Sequence, residues 1–199
     1  MAAKRFLAVF LILVFTLIFS VKNTDVFAVD MGDNAPKYPV WANSTGDIDI
    51  RSGTFTNLFE QSKKYAVSIE NNGDRIGSGF VWTKDGYILT NAHVVVDKNG
   101  VKAKKTKVYV TEKKYYSAIV GGEPDTEQDV ALLKIEENVS LIPAPLGDSD
   151  LVRPGEWVYA IGSPFGLYQT VTVGVVSGLH RNIRSGIQEV IQTDVAINP

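Results

Sequence analysis

From Tyr65 onward the chain consists of short, β-branched apolar runs separated by turn residues. No helical period lasts long enough to compete with them. Ala66 to Glu70 is followed by Asn71-Asn72-Gly73, a hairpin signal, and then by Ile76 to Trp82. Lys84-Asp85-Gly86 turns into Tyr87 to Thr90, and further strands are predicted at Lys107 to Thr111, Tyr116 to Val120 and Asp129 to Ile135. Beyond a connector holding Pro143 and Pro145, strands are predicted at Trp157 to Gly162, Gln169 to Leu179 and Glu189 to Thr193. One short helix is predicted around Thr56 to Lys64. Many short, regularly punctuated strands without an internal repeat predict an all-β barrel or sandwich.

The first part of the chain departs from this pattern. Lys4 and Arg5 precede an apolar run from Phe6 to Phe19, and the small-residue spacing Val26-Phe27-Ala28 follows. These are the basic region, apolar region and cleavage site of an export signal. As a helix, a run of about 14 residues rises about 21 Å, short of the roughly 30 Å hydrocarbon core of a bilayer. A cleaved signal peptide over residues 1–28 is therefore favoured over a retained N-terminal anchor. Both readings place the rest of the chain outside the cytoplasm, in the periplasm, the cell envelope or the medium. A membrane is a partner only if the segment is retained. Residues 29–55, rich in Asp, Asn, Pro, Gly and Ser, read as a flexible linker.

Composition narrows the function classes. With 45% hydrophobic and 21% charged residues, the chain is an ordinary globular sequence. Its net charge is -2 and no Lys/Arg stripe with interleaved aromatics recurs, which argues against nucleic acid as a partner. The basic stretch from Lys98 to Lys107, beside Asn99-Gly100, reads as a solvated hairpin tip or loop rather than a binding patch. There is no cysteine, so an exported fold of this sequence must be held by its core, as in a bacterial envelope protein. Two widely separated histidines, no cysteine and no H-E-x-x-H provide no metal site, and no cofactor motif is present.

Candidate chemistry gathers at Leu89-Thr90-Asn91-Ala92-His93-Val94-Val95 and at Asp129-Val130-Ala131-Leu132-Leu133-Lys134. One apolar strand ends in a histidine and a second begins with an aspartate. A lone histidine beside an apolar strand is usually structural. Here the local order is strand, Asp85-Gly86-Tyr87 turn, strand, histidine. An aspartate directly before an apolar strand is partly desolvated and needs a partner, which an imidazole N–H supplies. Such a pair holds the imidazole in one tautomer for taking a proton from a nucleophile. The other histidine, His180, is predicted in an exposed loop. No serine qualifies as the nucleophile. Ser163 lacks the G-x-S-x-G setting and precedes a proline without an N–H, while Ser78 and Ser177 fall within predicted strands.

These stretches, together with Gly77-Ser78-Gly79-Phe80-Val81, Leu146-Gly147-Asp148-Ser149-Asp150, Ala160-Ile161-Gly162-Ser163-Pro164-Phe165-Gly166 and Gln192-Thr193-Asp194-Val195-Ala196-Ile197-Asn198-Pro199, resemble the trypsin-fold serine proteases of the HtrA (Deg) type. The resemblance runs in family order from Gly77 to Pro199. It implies an all-β, trypsin-like double β-barrel, with the first barrel complete at 56–143 and the second partly present at 144–199. It implies His93 as general base and Asp129 as the residue that orients it. In such proteases Asn-Pro is followed by Gly-Asn-Ser-Gly-Gly, so the nucleophilic serine is expected just beyond Pro199 and the recorded chain is expected to be inactive. The implied function is a serine endopeptidase of envelope quality control, acting on unfolded or misfolded polypeptides and assembling as a homo-oligomer, a trimer. The alternative is a non-catalytic, chaperone-like binding protein on the same fold.

Overall fold

A computed structural model of the chain describes residues 17–20, 54–97, 99–103, 105–163, 169–182 and 189–197, with backbone alone at 17–20, 54 and 74–76. Its elements are β1 (Leu17–Ser20), α1 (Thr54–Ser62), β2 (Ala66–Asn71), β3 (Asp74–Val81), β4 (Tyr87–Thr90), α2 (Ala92–Val95), β5 (Thr106–Tyr109), β6 (Tyr115–Val120), β7 (Ala131–Ile135), β8 (Trp157–Gly162), β9 (Thr170–Arg181) and β10 (Val190–Thr193).

Strands β2 to β7 close into an antiparallel barrel in the order β2-β3-β4-β7-β6-β5, with β2 pairing both β3 and β5. Alternation along each strand decides what faces inward. In β7, Ala131, Leu133 and Ile135 are buried while Leu132 and Lys134 between them are half-exposed. Ile69, Ile88, Val108 and Leu133, each with no exposed surface, fill the barrel together with Val67, Val81 and Ile135. The hairpin between β2 and β3 turns at Asn72 and Gly73, both at positive φ (52° and 104°), as a two-residue turn matched to the strand twist requires.

The second sheet holds β8, β9 and β10 in antiparallel order, with β1 on the outer edge of β8. Its link to the barrel follows from the two faces of β8. Tyr159 and Ile161 belong to the barrel's core, whereas Val158 and Ala160 pack with Val152, Val176, Ile191 and Val195. The fold is thus all-β, a trypsin-like double barrel with one barrel closed and the second partly present.

Four sequence expectations need correction. The helix begins at Thr54, inside the stretch read as linker. Asp129 precedes β7 rather than opening it, because Asp125 and Val130 exchange two hydrogen bonds of 2.8 Å and close a turn there. His180 lies in β9, not in a loop, since the strand continues to Arg181, which pairs with Val190. Residues 17–20, within the apolar run read as helical, are extended and pair with Ser20 opposite Val158 and Leu17 opposite Ile161. The edge of β8 offers a row of N–H and C=O groups that an apolar segment satisfies in this way. The cleavage spacing at Val26 to Ala28 lies outside the described residues, as do Lys98 and Lys104 of the basic stretch. Beside it, Val96 bridges Lys102, and the Asp97 carboxylate accepts the N–H groups of Asn99 and Val101, both at 2.8 Å. Among the described residues no helix is long and apolar enough to cross a membrane.

Candidate active site

β4 pairs with β7, so the chain leaving β4 and the turn entering β7 emerge side by side. The first enters α2, a single helical turn. Val94 and Val95 are buried in the barrel core and anchor this turn, while the His93 side chain on its other face is 43% exposed. A second anchor comes from Asn71, whose side-chain amide donates to the Val94 carbonyl; Thr106 Oγ1 donates in turn to Asn71 Oδ1 at 2.7 Å. A rigid backbone thereby presents an accessible imidazole.

Asp129 sits on the tight turn closed by Asp125, whose carboxylate accepts the N–H groups of Glu127 (3.0 Å) and Gln128 (2.9 Å). Its φ of 55° is in the left-handed region, which Asp tolerates better than most residues. This conformation turns its carboxylate onto α2. Oδ2 is 2.6 Å from His93 Nδ1, and Oδ1 accepts the His93 backbone N–H at 3.0 Å. With its side chain only 15% exposed, the carboxylate is shielded on most sides. Burial pushes the Asp129 carboxyl up, but hydrogen bonds from the His93 side chain and backbone, the His93 charge and a hydrogen bond from Asn91 outweigh it. The group is held below the ordinary carboxylate value. An ionised acceptor at Oδ2 holds the proton on Nδ1, which leaves Nε2 as the ring's proton acceptor.

The same shift predicts an acid sensitivity. A carboxyl whose pKa is lower in the folded state contributes stability that is present above its unfolded pKa. That stability is lost as pH falls through the folded value. The Asp129 contribution is therefore expected to be full above about pH 4 and to fade below it. Thermal melts from pH 6 to 2 check this: Asp129→Asn is expected to flatten the acid side of the stability curve. An unchanged slope would show that the pair does not report on folding.

The serines set aside in the sequence are accounted for elsewhere. Ser68 Oγ donates to Ser163 Oγ, the Ser163 N–H donates to Ser78 Oγ at 2.8 Å, and the Gln169 N–H reaches Ser163 Oγ at 3.2 Å. These buried hydroxyls seal the seam where β2 and β3 meet the chain leaving β8. Ser177 is exposed on β9. His180 is likewise exposed, with Nδ1 2.5 Å from Glu189 Oε2 across the β9–β10 hairpin. Sequence reasoning passed over Asn91 and Asn71. The signal available for Asn91 was its place two residues before the histidine.

The chain is similar to known proteins. Residues 77–199 match the family described as Trypsin-like peptidase domain. The chain is 41% identical over 163 residues to the "Probable periplasmic serine endoprotease DegP-like" of Pseudomonas fulva, covering 78% of this chain and 33% of that protein. It is also 41% identical over 150 residues to "Protease Do-like 1, chloroplastic" of Arabidopsis thaliana, covering 72% and 33%. Among solved structures, that of Deg5 superposes with a TM-score of 0.61 at 40% identity, covering 72% of this chain and 74% of that one. The HtrA-type protease AlgW with a tripeptide superposes with a TM-score of 0.65 at 33% identity, covering 73% and 48%. The chain spans about a third of the length of the curated relatives it matches.

Proposed function

This chain belongs to the HtrA type of trypsin-fold serine proteases, and on that premise we propose that it serves a serine endopeptidase working outside the cytoplasm on unfolded or misfolded polypeptides. His93 is the general base and Asp129 orients it. The nucleophile is the serine of the Gly-Asn-Ser-Gly-Gly stretch that follows Asn-Pro in this family, expected just beyond Asn198-Pro199. In acylation its Oγ attacks the scissile carbonyl carbon while its proton passes to His93 Nε2. The imidazolium, stabilised by ionised Asp129, returns that proton to the leaving amine, and a water molecule repeats the sequence to release the acyl group. The observation that supports this most is the 2.6 Å approach of Asp129 Oδ2 to His93 Nδ1, with the second carboxylate oxygen fixed by the His93 backbone N–H. A structural histidine does not need a largely shielded carboxylate oriented at both oxygens. The names of the bacterial relatives support a periplasmic setting, and the family resemblance is what suggests a role in protein quality control and a homo-oligomer, a trimer.

Casein hydrolysis tests the proposal. Residues 29–199 alone are expected to remain at background, because neither the serine nor its oxyanion hole lies within them. The chain carried through the serine motif and the remainder of the second barrel is expected to cleave casein and to lose activity in His93→Ala. Turnover by residues 29–199 that vanishes in His93→Ala would relocate the nucleophile within this stretch. A folded, extended chain that binds unfolded casein without cleaving it would favour the chaperone-like alternative.

A further inference from the structure

We propose that Asn91 is a positioning residue for the His93–Asp129 pair, fixing the carboxylate that orients the base; this rests on the protease reading above. Asn91 occupies the N-cap of α2, with the extended backbone (φ -80°, ψ 149°) that a cap adopts. An asparagine at this position ordinarily turns its side chain onto the free N–H groups of its own helix. Here it makes no such bond. Asp129, from a distant part of the chain, caps the turn instead by accepting the His93 N–H at Oδ1.

The Asn91 side chain is thereby available for another task. Its Nδ2 donates to Asp129 Oδ2 at 3.0 Å and to the Asp129 backbone carbonyl at 3.1 Å. Both partners are acceptors, so the end of the amide that faces them must be the NH2. The two bonds clamp Asp129 across its side chain and main chain, fixing the residue at its left-handed φ of 55°. Oδ2 is also the atom facing His93 Nδ1. Without Asn91 that oxygen loses its second donor, and the carboxylate can rotate away from the imidazole. Asn91 is itself 8% exposed, so water cannot readily take the amide's place.

The test uses the full-length protease with Asn91→Ala and Asn91→Ser. Serine caps helices well, so it supports α2 from its own side chain yet cannot span both acceptors. Both variants are expected to lower kcat about 10- to 100-fold, the usual worth of a hydrogen bond to a charged group. KM is expected to stay within about twofold of wild type, because the lost contact acts on the base and not on the bound substrate. In proton NMR, the His93 Nδ1–H resonance of the wild-type protein is expected to broaden through faster exchange in both variants. A kcat within about twofold of wild type, a KM effect without a kcat effect, or an unchanged Nδ1–H resonance would each overturn the proposal. Loss of the thermal unfolding transition in both variants would also overturn it, by making the role of Asn91 one of folding. Wild-type activity in His93→Ala would instead sink the protease reading, and the Nδ1–H resonance would still decide whether Asn91 positions the pair.

Discussion

Asp129→Asn in the chain carried through the serine motif and the remainder of the second barrel is expected to lower kcat by about 10⁴-fold, the loss this change causes in trypsin-type triads, while the protein stays folded. The local geometry explains why an amide is a poor substitute. Both carboxylate oxygens accept: Oδ1 from the His93 N–H at 3.0 Å, and Oδ2 from Asn91 Nδ2 at 3.0 Å and from His93 Nδ1 at 2.6 Å. An asparagine has one acceptor end. With its NH2 toward His93 Nδ1 it opposes the Asn91 amide and favours the tautomer that carries the proton on Nε2, where it blocks attack. With its NH2 the other way round it opposes the His93 backbone N–H, and the charge that stabilises the imidazolium is missing in either case. Steady-state kinetics on a peptide substrate, with a thermal melt to verify folding, measure the effect. A loss of less than about tenfold in a folded protein would assign the orienting role to another carboxylate.

The strands were legible in the sequence because their chemistry is local. Alternating burial in β7 and the Asn72-Gly73 turn are properties of a few neighbouring residues, and the chain states them directly. What was less legible depended on partners distant in sequence. The run that delivers His93 ends as a strand at Thr90, but Val94 and Val95 must enter the barrel core, which forces one helical turn too short to show a period. Asp129 is excluded from β7 by the bridge between Asp125 and Val130, and β9 reaches His180 because Val190 pairs with Arg181. The apolar run near the N-terminus has the hydropathy of an export signal, and nothing in it announces that Leu17–Ser20 would lie extended along β8.

The candidate site divides along the same line. His93 and Asp129 were picked out because a histidine after one apolar strand and an aspartate before another form an uncommon pattern, and the structure brings the two side chains together. Asn91 and Asn71 carry no comparable pattern. Their significance lies in the acceptors they reach, Asp129 and the Val94 carbonyl, which are known only once the chain has folded. Polar residues that act through other residues are the least visible from sequence, since any capping or turn role accounts for them equally well.

The glycine motif before the histidine yields the largest expected effect on stability. Gly79→Val is expected to destabilise the fold by about 3 kcal/mol, the upper part of the range for overpacking a core. A Cβ at Gly79 would lie 2.6 Å from the Leu89 carbonyl oxygen, 3.1 Å from Ile69 Cδ1 and 3.2 Å from Ile88 Cγ2. The nearest atom is backbone, and Ile69 and Ile88 have no exposed surface into which they could retreat. The strain therefore falls on the pairing of β3 with β4, where Gly79 stands opposite Thr90. β4 leads directly into Asn91 and His93, so in a chain carried through the serine motif and the remainder of the second barrel the variant is expected to lose casein cleavage along with stability. At a typical m of about 1–3 kcal/mol per molar urea, the unfolding midpoint should drop by about 1 M or more. Gly121→Ala is the control: its Cβ would meet nothing nearer than 3.5 Å, and its cost should stay within about 0.5 kcal/mol. A Gly79→Val midpoint as close to wild type as that of Gly121→Ala would show that β3 and β4 separate freely at this point, and that the glycine is not there to let the strand carrying the histidine approach.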